Sequence, residues 1–256
     1  MRVMRSALFL VALPVMLVAI WWLVTLNSSS YLVPTPGGVI TAFFDTWFGD
    51  RFWDDVVPSI GRLLGGIAGA ILLGVGLGLL VGSFRTLREL LEPLLEFFRA
   101  IPPPVLVPLL GLILGISAQM KITVIIFGSV WPILLNTIEG VRATDEVQRA
   151  TASSYRLTPM HRVRYLILPA AAPQIMTGIR QSLSIALILM VISEMTYSSS
   201  GLGFAIIQFQ RNFAIPQMWS GILVLGLIGL ALSFAFQLVE RRMLVWYHGL
   251  REVQRA

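Results

Sequence analysis

Residues 6–26, 63–84, 105–120, 122–138 and 219–239 contain no Asp, Glu, Lys or Arg, and a further apolar run, 174–195, carries only Arg180 and Glu194. A bilayer core about 30 Å thick is crossed by roughly 20 such residues in a helix. There a backbone must satisfy its own polar groups, and continuous apolar runs do so as helices, whereas barrel strands alternate. The chain therefore reads as an all-α polytopic membrane protein with six transmembrane helices. With 56% hydrophobic and 12% charged residues it lies far from the roughly 25% charge of an average soluble domain.

Charge placement sets the topology. Arg2, Arg5, Arg85, Arg88, the five arginines of 139–173, Arg241, Arg242, Arg251 and Arg255 fall on one side of a six-crossing arrangement, and Arg51 and Arg211 on the other. By the positive-inside rule both termini and the 139–173 segment face the cytoplasm. The apolar run at 6–26 exceeds the usual 7–15 of a signal peptide and is assigned as a first membrane helix. The net charge of +6 punctuates apolar runs and forms no basic stripe with interleaved aromatics, so no nucleic-acid partner is expected. There is no cysteine, and His161 and His248 are the two histidines, so no metal site or cofactor is expected.

Three further patterns are legible. Thr35-Pro36 starts a helix, and Val39, Ile40, Phe43, Phe44 and Trp47 follow at helical spacing, an amphipathic surface helix with Trp47 and Trp53 in the interfacial belt. Gly66, Ala70, Gly74, Gly78 and Gly82 recur every fourth residue, a face for close helix packing whose partner stays open. Pro102-Pro103-Pro104 cannot lie inside a regular helix, and reads either as a discontinuous helix beside a pathway or as a kink at the membrane edge. The expected organisation is a first helix and external amphipathic segment over 1–60, a five-helix core over 61–245 and a cytoplasmic tail over 246–256.

Between two apolar runs, 139–173 holds five arginines, a histidine and three acids. Thr144 is a plausible N-cap for a helix over 145–155, and Thr158-Pro159 restarts a second helix over 159–166, after which Pro169 and Pro173 redirect the chain. Two short helices projecting from a bundle suit docking better than a solvated linker, because Val163, Tyr165 and Ile167 alternate with Arg162 and Arg164.

This segment resembles the cytoplasmic loop of ABC importer permeases, which runs Glu-Ala-Ala, then glycine four residues on, and ends hydrophobic-x-Leu-Pro. Anchoring on Leu168-Pro169 puts Ala150-Thr151-Ala152 at the Glu-Ala-Ala positions and Arg156 at the glycine, so the acid and the glycine are missing. Tyr31 to Pro36, Phe98 to Pro103, Pro132 to Thr137, Glu194-Met195 with Ser199 to Gly203, and Glu240 to Arg242 are similar in order to elements of the nitrate, sulfonate and taurine subfamily. The resemblance implies a type I ABC importer permease-like subunit of the bacterial inner membrane. Its implied partners are cytoplasmic ABC ATPase subunits, a second permease subunit, identical or a paralogue, and an extracytoplasmic solute-binding protein. The chain has no phosphate-binding loop, and its one lysine is Lys121, so it is expected to be non-catalytic, with ATP hydrolysed by its partner.

On this reading Arg149, Arg162 and Arg164 pair with acids rimming an ATPase groove that Val147, Tyr155, Leu157 and Met160 fill, lipid headgroups being the other reading for any single arginine. Arg156 is not expected to take a positive φ as glycine does, so Pro159 takes over the break, and this altered dock suggests pairing with a more typical permease. Pro102, Pro103, Asn136, Glu194, Gly201 and Gly203 are pathway candidates. For Glu194 an outer-interface residue bonded near the 198–200 turn is the favoured reading, and Arg180 is expected to snorkel. A secondary transporter or channel would show buried charge pairs or inverted repeats, and a membrane anchor for a signalling complex would need no broken helix.

Overall fold

The computed structural model describes residues 2–26 and 32–247, with side chains from Ala12 onward; most of the expected tail, and Tyr31, lie outside the described residues. The described chain is helical: α1 Arg2–Leu26, α2 Pro36–Trp47, α3 Val57–Ser83, α4 Arg85–Ala100, α5 Leu106–Leu114, α6 Ala118–Arg142, α7 Glu146–Ser154, α8 Pro159–Arg162, α9 Leu168–Thr196, α10 Leu202–Arg211 and α11 Ile215–Met243. Among the described residues four helical stretches are long and apolar enough to cross a membrane: Phe52–Ser83, Ala118–Arg142, Pro159–Thr196 and Ile215–Met243. A fifth is a broken pair, Arg85–Ala100 with Pro103–Leu114, bent by 72°. Helix α1 covers the expected first crossing, of which Ala12–Leu26 is apolar.

The chain forms two compact units, one of residues 1–58 with 200–227 and the other of 59–199 with 228–256. In the second unit α6 is the axis. A Cβ added at Gly66 would meet Ile125, at Gly74 Ile133, at Gly78 Thr137 at 2.5 Å and at Gly82 Val141, so the glycine face of α3 lies against α6. Gly140 and Gly178 make an equally close crossing with α9, where a Cβ on Gly178 would sit 2.6 Å from the Pro132 carbonyl oxygen. Ser182 Oγ, buried in the same seam, donates to the Ser129 carbonyl at 2.6 Å. In lipid such backbone proximity, not hydrophobicity, holds helices together.

Several boundaries differ from expectation for identifiable reasons. The run 105–120 is not one crossing: α5 ends at Leu114, Gly115 turns at φ +67° and Ser117 caps α6 by accepting from Met120 N. Helix α6 is accordingly 25 residues long, not a marginal 17. The prolines produce a true break, with Pro102 extended and a 3₁₀ turn over Pro103–Val105. Pro169 and Pro173 do not redirect the chain, because Pro159–Thr196 runs on as one helix.

A π-turn at Val163–Ile167, with Leu168 N bonding back to the Val163 carbonyl, widens the helix just before Pro169. Phe52–Val56 does the same before Pro58, with Val57 N bonding to the Phe52 carbonyl. A proline lacks the N–H for its i−4 carbonyl and presses its ring against it, and the wider turn relieves that crowding.

In the first unit Thr35 caps α2 as expected, accepting from Gly38 N at 3.2 Å. Trp47 is buried against the same unit, its Nε1 donating to Ser220 Oγ at 2.9 Å, while Trp53 is exposed.

The α3–α6 seam predicts that Gly78→Leu lowers the melting temperature of the detergent-purified protein, by overpacking worth about 1–3 kcal/mol. Gly76→Ala, where a Cβ meets nothing within 4 Å, is expected to leave it unchanged or raise it slightly.

Candidate coupling loop and buried ionic cluster

The segment after α6 is built by capping. Asp145, not Thr144, is the N-cap of α7 and accepts from Gln148 N at 3.0 Å, while the Thr144 hydroxyl turns back to the Val141 carbonyl and closes α6. An ionised carboxylate at a helix N-terminus outcompetes a hydroxyl for that position. Helix α7 then ends in a complete Schellman motif. Leu157 N bonds to the Ala152 carbonyl at 3.1 Å, Arg156 N to the Ser153 carbonyl at 2.9 Å, and Arg156 between them takes φ +50°.

Arg156 thus adopts the left-handed conformation that it was expected to avoid. Two satisfied carbonyls offset a penalty of roughly 1–2 kcal/mol. Pro159 does not take over the break; it opens α8 behind the Thr158 cap. The expected asymmetric pairing with a more typical permease loses its premise, since the break lies where the resemblance puts it.

The loop arginines divide. Arg149 Nη2 donates to the Val141 carbonyl and Arg162 Nη2 to Ser153 Oγ, so both guanidinium groups are held within the protein. Arg164 is exposed, its guanidinium 5.5 Å from the Tyr165 ring centre, and His161 stacks on that ring. Four large side chains stand out from this otherwise polar surface: Val147 is 73% exposed, Tyr155 78%, Met160 74% and Tyr165 63%. Val147, Thr151, Tyr155, Leu157 and Tyr165 also line an open groove of about 480 Å³. Of the Ala150-Thr151-Ala152 triplet, only Ala152 is buried.

Asn136 Nδ2 folds back on its own helix to the Pro132 carbonyl at 2.8 Å, at the α6–α9 crossing. Pro103 packs near Gly128, and Pro102 is exposed. Glu194 is fully buried within the protein. It accepts from Arg62 Nη1 at 2.7 Å, and Ser59 Oγ lies 2.8 Å from both its oxygens. Lys121 is also buried, and its Nζ donates to the Ser117 carbonyl at 3.3 Å.

A buried charge pair, which the sequence did not reveal, is thus present between the first turns of α3 and the last of α9. Arg180 pairs with Glu240. Gly201 and Gly203 belong to the other unit, where Gly201, at φ +117°, precedes α10 and donates its N–H to Asp55 Oδ1 at 2.8 Å. Asp55, also bridged to Arg51, was not singled out from sequence. It lies inside the π-turn that precedes Pro58, and Gly201 is 146 residues away in sequence, so spacing gave no signal for the contact.

A bundle of apolar helices pinned by small residues, with a capped two-helix polar loop, defines a multi-pass membrane protein with a projecting loop. Residues 70–245 match the model of the family described as binding-protein-dependent transport system inner membrane component, and the chain belongs to that family. It is 29% identical over 245 residues to the taurine transport system permease protein TauC of Escherichia coli (strain K12), covering 93% of this chain and 88% of that one. It is 31% identical over 240 residues to the putative aliphatic sulfonates transport permease protein SsuC of Bacillus subtilis (strain 168), covering 91% and 86%. Its fold is shared with the MetNI methionine ABC transporter in inward-facing conformations, at a TM-score of 0.63 and 18% identity, over 74% of this chain and 94% of that one. The chain is a multi-pass inner-membrane permease of an ABC importer, a non-catalytic subunit that works with a separate ATPase and a solute-binding protein.

Two outcomes are expected from this geometry. Glu194→Gln leaves Arg62 buried beside a neutral partner and should destabilise the purified protein by about 3–5 kcal/mol, whereas Arg62→Met with Glu194→Met should recover most of that loss in a thermal melt. Arg156→Gly should raise the melting temperature slightly, by about 0.5–1 kcal/mol, because it relieves a left-handed residue, while Arg156→Val should lower it.

Proposed function

We propose that this permease is driven through 139–173, which docks its two short helices on the ATPase, and that it passes a small oxyanion of the sulfonate type. The observation that carries the docking is the exposure of Val147, Tyr155 and Met160, large apolar side chains on a segment whose backbone is otherwise fixed by caps. Exposed apolar anchors on a rigid element suit a partner's groove. The exposed arginines Arg156 and Arg164 supply charge for its rim, and Arg149 and Arg162 hold the loop's shape from within.

Arginine placement supports six crossings with the loop and both termini on the cytoplasmic side. Two permease subunits, identical or paralogous, would enclose the path, and ATP binding to the docked ATPases would bias the bundle between outward-open and inward-open states. The sulfonate class rests on the relatives named for taurine and aliphatic sulfonates. The buried Arg62–Glu194 pair is a feature that a secondary transporter would also carry, but family membership places the energy source outside the chain.

Tyr155→Ala with Met160→Ala should weaken ATPase attachment by about 2 kcal/mol or more, roughly 30-fold. The expected readout is loss of the ATPase from the detergent-purified complex, with ATP-driven uptake into vesicles reduced at least in proportion. Undiminished uptake would remove this loop as the point of drive.

A further inference from the structure

Where α3 ends beside the loop there is a cavity of about 530 Å³. One wall is Gly76, Leu79, Leu80, Ser83 and Phe84; the other is loop, with Leu157, Val163 and the two inward arginines, Arg149 and Arg162. Each arginine gives one terminal nitrogen to the chain's own oxygen. The Nε–H of each is buried and, among the described residues, has no hydrogen-bond partner. Among the described residues neither guanidinium pairs with a carboxylate. Two cations with unspent donors around one cavity are an unfavourable arrangement unless an anion completes it.

The remaining lining narrows the class of anion. The walls are largely apolar, and α3 reaches the end of its membrane-spanning length at Ser83. Leu72, Gly76, Leu80 and Ser83 fall on one face of α3 at helical spacing, and Leu72 and Leu80 are exposed along it. That face offers an apolar track leading away from the arginines into the hydrocarbon region. We propose that the cavity binds the phosphodiester of an anionic phospholipid on Arg149 and Arg162, with an acyl chain laid along Leu80, Gly76 and Leu72. Basic pockets beside membrane helices recognise headgroups in this way. A lipid held here ties the loop to α3, so the charge of the surrounding lipid sets how firmly the loop is seated. Leu157 lines both the loop groove and this cavity, but Tyr155 and Met160 do not line the cavity, so variants at those two positions and at the arginines separate ATPase docking from lipid binding by experiment.

The test is native mass spectrometry of the permease purified in mild detergent, with added phosphatidylglycerol, phosphatidylcholine or inorganic phosphate. The wild type should retain phosphatidylglycerol in preference to phosphatidylcholine. Arg149→Gln with Arg162→Gln should reduce that retention about tenfold or more. Gly76→Phe, which fills the cavity from a position where a Cβ meets nothing and leaves both arginines in place, should reduce it similarly without unseating the loop. Arg242→Gln, an exposed arginine of α11, should retain the lipid as the wild type does. Equal retention of the two lipids, retention unchanged in the Gly76 variant, or full displacement by inorganic phosphate at comparable concentration would overturn the assignment.

Discussion

The unit that carries the loop depends on how closely α6 approaches its neighbours. On one side the glycines of α3 leave no room for a Cβ, and on the other Gly140 and Gly178 bring α6 and α9 nearly to backbone contact. Lipid gives apolar side chains no reason to prefer a neighbouring helix, so the stabilisation comes from dispersion over this seam and from hydrogen bonds such as that of Ser182 to the Ser129 carbonyl. Once α6 and α9 are locked side by side, the chain leaving α6 and the chain entering α9 stand close together. The segment between them must fold back on itself, and caps at Asp145, Thr158 and the turn at Arg156 close that fold.

What the sequence disclosed follows the range of the interaction. Caps and breaks are local, so Thr35 and Thr158 were legible and the Arg156 break fell where the family pattern put it. The physical objection to an arginine there was sound in sign but too large in weight, because it omitted the two carbonyls that the Schellman turn satisfies. The glycine face was legible as a face because period four is a property of one helix. Its partner was not, since Ile125, Ile133 and Val141 look like any other apolar residues.

The ionic contacts were hidden for a related reason. Glu194 finds Arg62 at a separation of 132 residues, and Asp55 finds Gly201 at 146. Nothing in spacing announces either pair. The continuous helix through Pro169 was missed because proline was read as a stop. A single π-turn absorbs the missing donor, and the same solution precedes Pro58.

These features have a mechanical order along the second unit. Arg62 lies near the start of α3, Lys121 at the start of α6 and Glu194 near the end of α9, so the ionic cluster occupies the end of the three-helix seam opposite the loop. Glycine packing joins the two ends through helices that have little freedom to slide, because side chains are absent where sliding would be accommodated. Between loop and seam the π-turn at Val163–Ile167 replaces the regular ladder with an i−5 bond. The π-turn sits where α8 joins α9, while the Thr144 hydroxyl and the Arg149 guanidinium, both on the Val141 carbonyl, tie the loop to the end of α6. The loop is thus fixed to α6 by side-chain bonds and to α9 through continuous backbone, so its shape follows from the α6–α9 crossing.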